Sequence, residues 1–152
     1  MGSRTVPRLA MYQPEIAANL GAAIRIAACF GVALDVIEPC GFPWRKRDID
    51  RVALDYQTPL LRHADWESFA RRLPGRLLLL TTKGAQSYWT TTFEPTDTLL
   101  LGQESAGVPE AIHEAADQRL TIPMAQGARS LNVAVSGAVV FGEAARQAAF
   151  DL

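Results

Sequence analysis

The most informative segment of this chain is Ile122-Pro-Met-Ala-Gln-Gly-Ala-Arg-Ser-Leu-Asn-Val-Ala-Val-Ser136, where a polar loop runs directly into a helix of small side chains. A second corner precedes it, because the apolar run at residues 99–101 ends abruptly in a glycine-containing polar turn at 102–109. Buried strands deliver loops in this way at their carboxyl ends. Two such corners near one end of the chain predict one composite ligand-binding site.

Size and composition predict a single globular domain over residues 1–152, since 49% of the residues are hydrophobic and the length is typical of one domain. The formal net charge of -1 provides no global field that would attract a polyanion. Contact with nucleic acid would therefore depend on local basic clusters, such as those at 45–51 and 71–76. Taken alone, each cluster is more typical of an ordinary solvated helix face.

Cysteine and histidine usage predicts a cytoplasmic protein with reduced thiols and no metal site. Cys29 and Cys40 lack the spacing of a zinc or redox motif, and residues 1–7 contain no apolar core like that of a secretory signal. His63 and His113 are solitary and are predicted to lie on the surface. No stretch approaches the ~20 apolar residues that span a bilayer, which excludes membrane insertion.

Hydrophobic periodicity predicts an α/β fold with a parallel-stranded sheet flanked by helices. The first strand, helix and strand have the size of a βαβ unit, with a glycine stop at Gly31. Five or six strands are expected in all. The predicted strands span 8–12, 33–37, 77–82, 98–101 and 119–122, and the predicted helices span 19–30, 47–54, 64–73 and 131–149.

Several polar residues have both a structural and a functional interpretation. Asn19 is placed to cap the first helix, and Arg25, six residues on, shares roughly one face with it or is simply an exposed cation. Glu104 stands at a helix entrance, where it either holds a ligand or caps the helix. Ser130 is placed to cap the final helix, with Asn132 in its first turn. The chain lacks a phosphate-binding glycine loop and a hydrolase signature around its serines.

The segment at 19–25 and the two corners together resemble the three ordered motifs of the SpoU branch of the SPOUT methyltransferases. These motifs correspond to Asn19-x-Gly21-x-x-x-Arg25, to Leu100-Leu-Gly-Gln-Glu-Ser-x-Gly107, and to Ile122-Pro-Met124 with Ser130-Leu-Asn132. Further likeness at 12–16, 37–42, 54–56 and 80–84 extends the resemblance over nearly the whole chain. The chain is most similar to the small members that methylate the wobble ribose of tRNA, either at cytidine or at uridine.

This resemblance implies a homodimer with a deep trefoil knot at the carboxyl end of the chain, and S-adenosylmethionine held in the loops of the knot. By motif, the residues that would line the cofactor pocket are Leu80, Gly102, Ile122 and Ser130. Arg25 would act at the ribose 2'-hydroxyl, while Glu104, Ser130 and Asn132 would organise the site. Contacts to the anticodon region of tRNA are implied for Arg25, Lys83 and Arg129.

Physical chemistry limits the role of Arg25. The reaction is an in-line displacement in which alignment supplies much of the catalysis. A guanidinium does not normally accept a proton, so Arg25 is a better stabiliser of the forming alkoxide than a base. The proton then goes to another group, such as a phosphate or a water molecule.

Two alternatives remain open, and a third is disfavoured. One is a SpoU enzyme that acts elsewhere on tRNA or rRNA, since Ala106 stands where relatives of the wobble enzyme usually carry arginine. Another is a non-catalytic binding module that keeps the cofactor pocket. The third, an ordinary doubly wound nucleotide-binding protein, is disfavoured because the turn at 12–19 contains no glycine.

Overall fold

The computed structural model describes residues 6–148 of the chain. Residue 149 of the predicted final helix and residues 1–5 of the predicted start without a secretory signal lie outside these residues. The structure shows that none of the helices in the described range is long and apolar enough to cross a membrane.

Residues 6–148 form seven strands and five α-helices, in an order that alternates strand and helix over much of the chain. The strands are β1 Arg8–Tyr12, β2 Leu34–Ile37, β3 Leu60–His63, β4 Leu77–Leu80, β5 Gln86–Ser87, β6 Thr98–Leu101 and β7 Gln118–Thr121. The helices are α1 Ala17–Phe30, α2 Lys46–Val52, α3 Trp66–Ala70, α4 Glu110–Ala115 and α5 Val133–Gln147.

All seven strands belong to one parallel sheet with the order β3-β2-β1-β6-β4-β7-β5, which confirms the predicted α/β fold. The predicted strand count of five or six was too low. The edge strand β3 exposes two of its four residues, and β5 has only two residues. Neither strand therefore carries the buried apolar run by which the central strands are recognised.

The central strands are leucine-rich because both faces of the sheet are covered. Apolar side chains of α1 and α5 pack on one face, and those of α3 and α4 pack on the other. Helix α1 ends at Gly31, as predicted, since Gly31 adopts a φ of 69° and its N–H caps the last carbonyls of the helix. The sheet is thus packed between two apolar cores, and its parallel strands end at one common edge.

The prediction that His63 lies on the surface was wrong. His63 is only 7% exposed, and its Nε2 lies 2.7 Å from the carboxylate of the buried Asp35, which also binds Arg8. The buried carboxylate of Asp35 thus has hydrogen-bond partners from both neighbouring strands, which offsets the cost of its burial. His113, by contrast, is partly exposed, as expected of a residue on the short helix α4.

Helix α1 lies close to α2 at Gly21, and this contact predicts a large loss of stability in Gly21→Ala. An added Cβ would lie 2.5 Å from the carbonyl carbon of Val52 and 2.7 Å from its Cβ. Relieving this overlap would require the backbone of α2 to move away from α1. We expect the free energy of unfolding to fall by about 2–3 kcal/mol, as in other overpacked sites. Urea denaturation measures this loss.

The control for this measurement is Cys29→Ala, an exposed position on the same helix. A change within about 0.5 kcal/mol is expected there. Equal stability of Gly21→Ala and the wild type would show that α1 and α2 are not packed as closely as described.

Candidate functional site

Three polar side chains from distant parts of the chain meet at the carboxyl edge of the sheet. Asn19 Nδ2 donates to Glu104 Oε1, and Asn132 Nδ2 donates to Asn19 Oδ1 at 3.1 Å and to Glu104 Oε1 at 3.3 Å. Asn19 is 9% exposed, whereas Asn132 faces the solvent. The cluster therefore joins a buried amide to an exposed one through a single carboxylate oxygen.

The sheet topology brings these residues together. Strands β1 and β6 are parallel neighbours, so the segments that follow them, at 13–19 and 102–107, leave the same edge side by side. Asn132 is the N-cap of α5, because its Oδ1 accepts from the N–H groups of Ala134 at 2.9 Å and Val135 at 3.1 Å. One side chain thus starts the helix with its oxygen and joins the cluster with its nitrogen.

The capping interpretations of Asn19 and Ser130 were wrong. Helix α1 begins at Ala17 with Ile16 at its N-cap, so Asn19 lies inside the first turn and its side chain is committed to Glu104. Ser130 lies two residues before the true N-cap of α5 and is exposed. Glu104 does not cap α4 either, because that helix begins at Glu110 after Pro109.

The loop that carries Glu104 is a tight turn. Gln103 N donates to Gly107 O at 2.7 Å, and Gly107 N donates back to Gln103 O at 2.9 Å. Gly107 adopts a φ of 64°, and a Cβ added at Gly102 would lie 2.8 Å from the carbonyl carbon of Gly107. Glycine is needed at both positions for the turn to close.

The apolar residues predicted to line a cofactor pocket lie next to one another at the same edge. Leu80 ends β4 and pairs in register with Leu101 and Leu120, and Gly102 and Ile122 follow β6 and β7 closely. Leu80 and Ile122 are partly buried and pack against the core. The backbone of the loop at 123–130 forms one hydrogen bond with the described part of the chain, from Ala128 N to Ala125 O at 3.1 Å. This edge combines apolar side chains with backbone groups that can bind a polar ligand.

The basic residues named from the sequence are not part of the cluster. Arg25 is exposed on α1, Lys83 follows β4, and Arg129 lies in the loop before α5. None of their side chains forms an ion pair or hydrogen bond with the part of the chain that the structure describes. Their charges are therefore available to an external ligand.

Sequence reasoning missed the residues that hold the Glu104 loop in place. Ser105 donates to the carboxylate of Glu15, and Gln103 donates to the carbonyl of Gln13. The only signal in the sequence was the polar pair Gln13 and Glu15 directly after an apolar strand. No feature of that pair indicated its partner 90 residues away.

The thiol nearest this edge, that of Cys40, is not activated by its surroundings. Burial raises the pKa of the Cys40 thiol to about 11, with a smaller contribution from Glu38, so this thiol stays protonated at neutral pH. Within residues 6–148, no group of three or more His, Cys, Asp or Glu side chains is placed to hold a metal ion.

Comparison with known proteins identifies the family to which the chain belongs. The chain belongs to the SpoU rRNA Methylase family, whose model matches residues 7–142. It is 49% identical over 144 residues to the tRNA (cytidine(34)-2'-O)-methyltransferase of Ancylobacter novellus, and the match covers 91% of each protein. The predicted family resemblance is thereby confirmed.

Solved structures agree with this assignment. A structure described as giving insights into the 2-OH methylation of C/U34 on tRNA superposes with a TM-score of 0.89 at 37% identity, covering 94% of this chain and 96% of that one. The SpoU methyltransferase AviRb from Streptomyces viridochromogenes, solved in complex with AdoMet, shares the fold with a TM-score of 0.82 at 24% identity. It is matched over 96% of this chain and 62% of its own length.

Proposed function

We propose that this protein transfers the methyl group of S-adenosylmethionine to a ribose 2'-hydroxyl of tRNA, at wobble nucleotide 34. The observation that carries the proposal is the Asn19–Glu104–Asn132 cluster beside the apolar edge formed by Leu80 and Ile122. The relatives that cover nearly the whole chain support the same reaction and the same nucleotide. Such a substrate suits a cytoplasmic protein.

The residues proposed to hold S-adenosylmethionine are Leu80, Gly102, Ile122 and Ser130. The edge fits this group, since partly buried aliphatic side chains suit the faces of adenine and the backbone between Pro123 and Ser130 has polar groups to spare. When bound, the cofactor supplies a methyl group on a sulfonium that leaves readily. No phosphate-binding loop is required, because this ligand has no phosphate.

Arg25 is proposed to stabilise the negative charge that develops on the 2'-oxygen. Its guanidinium is always charged and has five N–H donors, none of which is used within the described residues. Glu104, with Asn19 and Asn132, holds the loop after β6 against the first turn of α1 and the start of α5. Ser130 is proposed to contribute to the site from the loop before α5.

We also propose the deep trefoil knot within a single domain over residues 1–152. Strand β7 is separated from β6 by β4, yet α5 starts beside the loop that follows β6 and packs on α1 and β6. The segment 122–132 therefore passes along the carboxyl edge across β4. Gln147 then binds the backbone of Thr91 and Phe93, in the segment that returns to β6. This path supports a knot in which the chain passes through the loop at 81–97.

A homodimer is proposed because α5 exposes an apolar stripe. Val135 is 49% exposed and Val139 is 39% exposed, four residues apart on one helix face, with Leu131 preceding them. A second copy of the chain would cover this stripe and would double the number of basic side chains that meet tRNA. Light scattering coupled to size exclusion measures the mass.

The proposed function is tested with purified protein, radiolabelled S-adenosylmethionine and tRNA that lacks wobble methylation, followed by mapping of the product. Label on the 2'-oxygen of nucleotide 34 is the expected result. Label at another nucleotide would favour a different SpoU specificity, with Ala106 as the first residue to exchange for arginine. Cofactor binding without turnover on any tRNA would favour a non-catalytic module.

If Lys83 and Arg129 bind tRNA phosphates, the affinity for tRNA should depend on the salt concentration. If each contacts one phosphate, replacing either by alanine reduces the slope of log K against log salt by about 1. The matched control is Lys46→Ala, since Lys46 is 84% exposed but paired with Asp50 at 2.7 Å. Filter binding at several salt concentrations measures the slopes, and unchanged slopes in Lys83→Ala and Arg129→Ala would remove both residues from the interface.

A further inference from the structure

The loop that carries Glu104 is fastened to the segment after β1 on both sides of that residue. On one side, Gln103 Nε2 donates to Gln13 O at 3.1 Å. On the other, Ser105 N donates to Glu15 Oε1 at 3.2 Å, and Ser105 Oγ lies 2.8 Å from Oε1 and 2.9 Å from Oε2. Glu104 therefore sits between two anchors that come from a different part of the chain.

The accepting segment is itself rigidly held. Gln13 adopts a φ of 41°, which is rare for a residue with a side chain, and its N–H donates to Ile37 O at 2.8 Å. Gly41 N donates to Pro14 O at 2.9 Å, and a Cβ added at Gly41 would lie 2.9 Å from Glu15 Cα. An unfavourable backbone conformation of this kind persists only where the surroundings enforce it.

We propose that Glu15 is a positioning residue for the methyl transfer. Its carboxylate accepts both hydrogen bonds of Ser105 and so holds Glu104 where one oxygen can serve Asn19 and Asn132 together. The N–H and O–H groups of Ser105 together contact both oxygens of Glu15, and Glu15 acts through the loop that carries Glu104. This inference rests on the proposed function for its catalytic readout, although the order of the loop can be measured without it.

The expected effect separates turnover from binding. Misplacement of a catalytic group by about 1 Å costs on the order of 10²-fold in rate. We therefore expect Glu15→Ala to lower kcat by about 10- to 100-fold, with little change in the affinity for S-adenosylmethionine or in Tm. Glu15→Gln keeps one oxygen that can accept a hydrogen bond from Ser105. We therefore expect this conservative variant to retain more of the wild-type kcat than Glu15→Ala does.

A double-mutant cycle tests whether Glu15 acts through Ser105. Ser105→Ala removes the hydroxyl, and Glu15→Ala combined with Ser105→Ala should lose little more than Glu15→Ala alone, because both remove one interaction. The matched control is Glu114→Ala, an exposed carboxylate on α4 without a hydrogen bond in the described range. Single-turnover kinetics, calorimetry with S-adenosylmethionine and thermal unfolding are measured for each variant.

Hydrogen exchange measures the order of the loop at 102–107 independently of methyl transfer. In Glu15→Ala, the amides of Ser105 and Gly107 should exchange at least about tenfold faster than in the wild type, whether or not the protein methylates tRNA. Unchanged exchange, an unchanged kcat, or a loss of Tm large enough to account for the lost activity would each overturn the positioning role. An inactive wild-type protein would refute the proposed function, while the exchange result would still decide whether Glu15 orders the loop.

Discussion

Glu104→Ala is expected to lower kcat by about 10²- to 10³-fold, the range observed when one electrostatic group of a preorganised site is removed. The carboxylate oxygen of Glu104 accepts from both Asn19 and Asn132, so its loss leaves the Asn19 N–H donors without their acceptor and leaves the contact of Asn132 with Asn19 Oδ1 as the remaining link within the cluster. Turnover is measured with labelled S-adenosylmethionine and tRNA. The affinity for the cofactor is expected to change far less, since the apolar edge is intact.

Glu104→Gln is the informative companion, because it keeps one acceptor oxygen and removes the charge. We expect it to fall between the wild type and Glu104→Ala, by about tenfold, if geometry matters more than charge. Glu114→Ala again serves as the exposed control and should be unchanged. Full activity of Glu104→Ala would show that the cluster does not take part in the reaction.

Arg25→Ala is expected to have the second large effect, a fall in kcat of about 10²-fold or more if the guanidinium stabilises the alkoxide. Arg25→Lys keeps the charge but loses the planar fork of donors, so we expect it to recover only part of the rate. The measurement is single-turnover methyl transfer at saturating cofactor. Nearly full turnover of Arg25→Lys would rule out a planar or bidentate contact.

Arg51→Lys provides the control for this pair. Arg51 is an exposed arginine on α2 whose guanidinium binds Asp48 at 2.6 Å. No change in turnover is expected there. A drop equal to that of Arg25→Lys would point to a general effect of arginine on tRNA affinity, and the salt dependence of binding would reveal it.

Much of the architecture was accessible from residue patterns. The leucine-rich runs of β4 and β6 are recognisable because strands buried on both faces exclude polar side chains. The end of α1 at Gly31 follows from the need for a left-handed residue there. Edge strand β3 escaped detection because half of it faces solvent, and its buried His63 depends on Asp35 in the neighbouring strand.

The site itself was only partly accessible. Asn19, Glu104 and Asn132 were named from motifs, but their joint hydrogen bonding was not, since the pairs are 85, 113 and 28 residues apart. Local rules assigned Asn19 and Ser130 to capping because a cap is the commonest use of such residues near a helix start. Long-range pairing overrode that preference for Asn19, and Asn132 took the capping role.

Residue order was therefore sufficient for the class of fold and the apolar strands, because these depend on local periodicity and on side-chain type. The resemblance to known motifs marked the three segments that meet at the carboxyl edge of the sheet. Three-dimensional packing was needed to establish which side chains meet. Parallel strands place the segments that follow β1 and β6 side by side, and a single carboxylate can then bridge two amides contributed by different helices. Hydrogen bonds of this kind depend on distances of a few ångströms in space, for which separation along the chain is no guide.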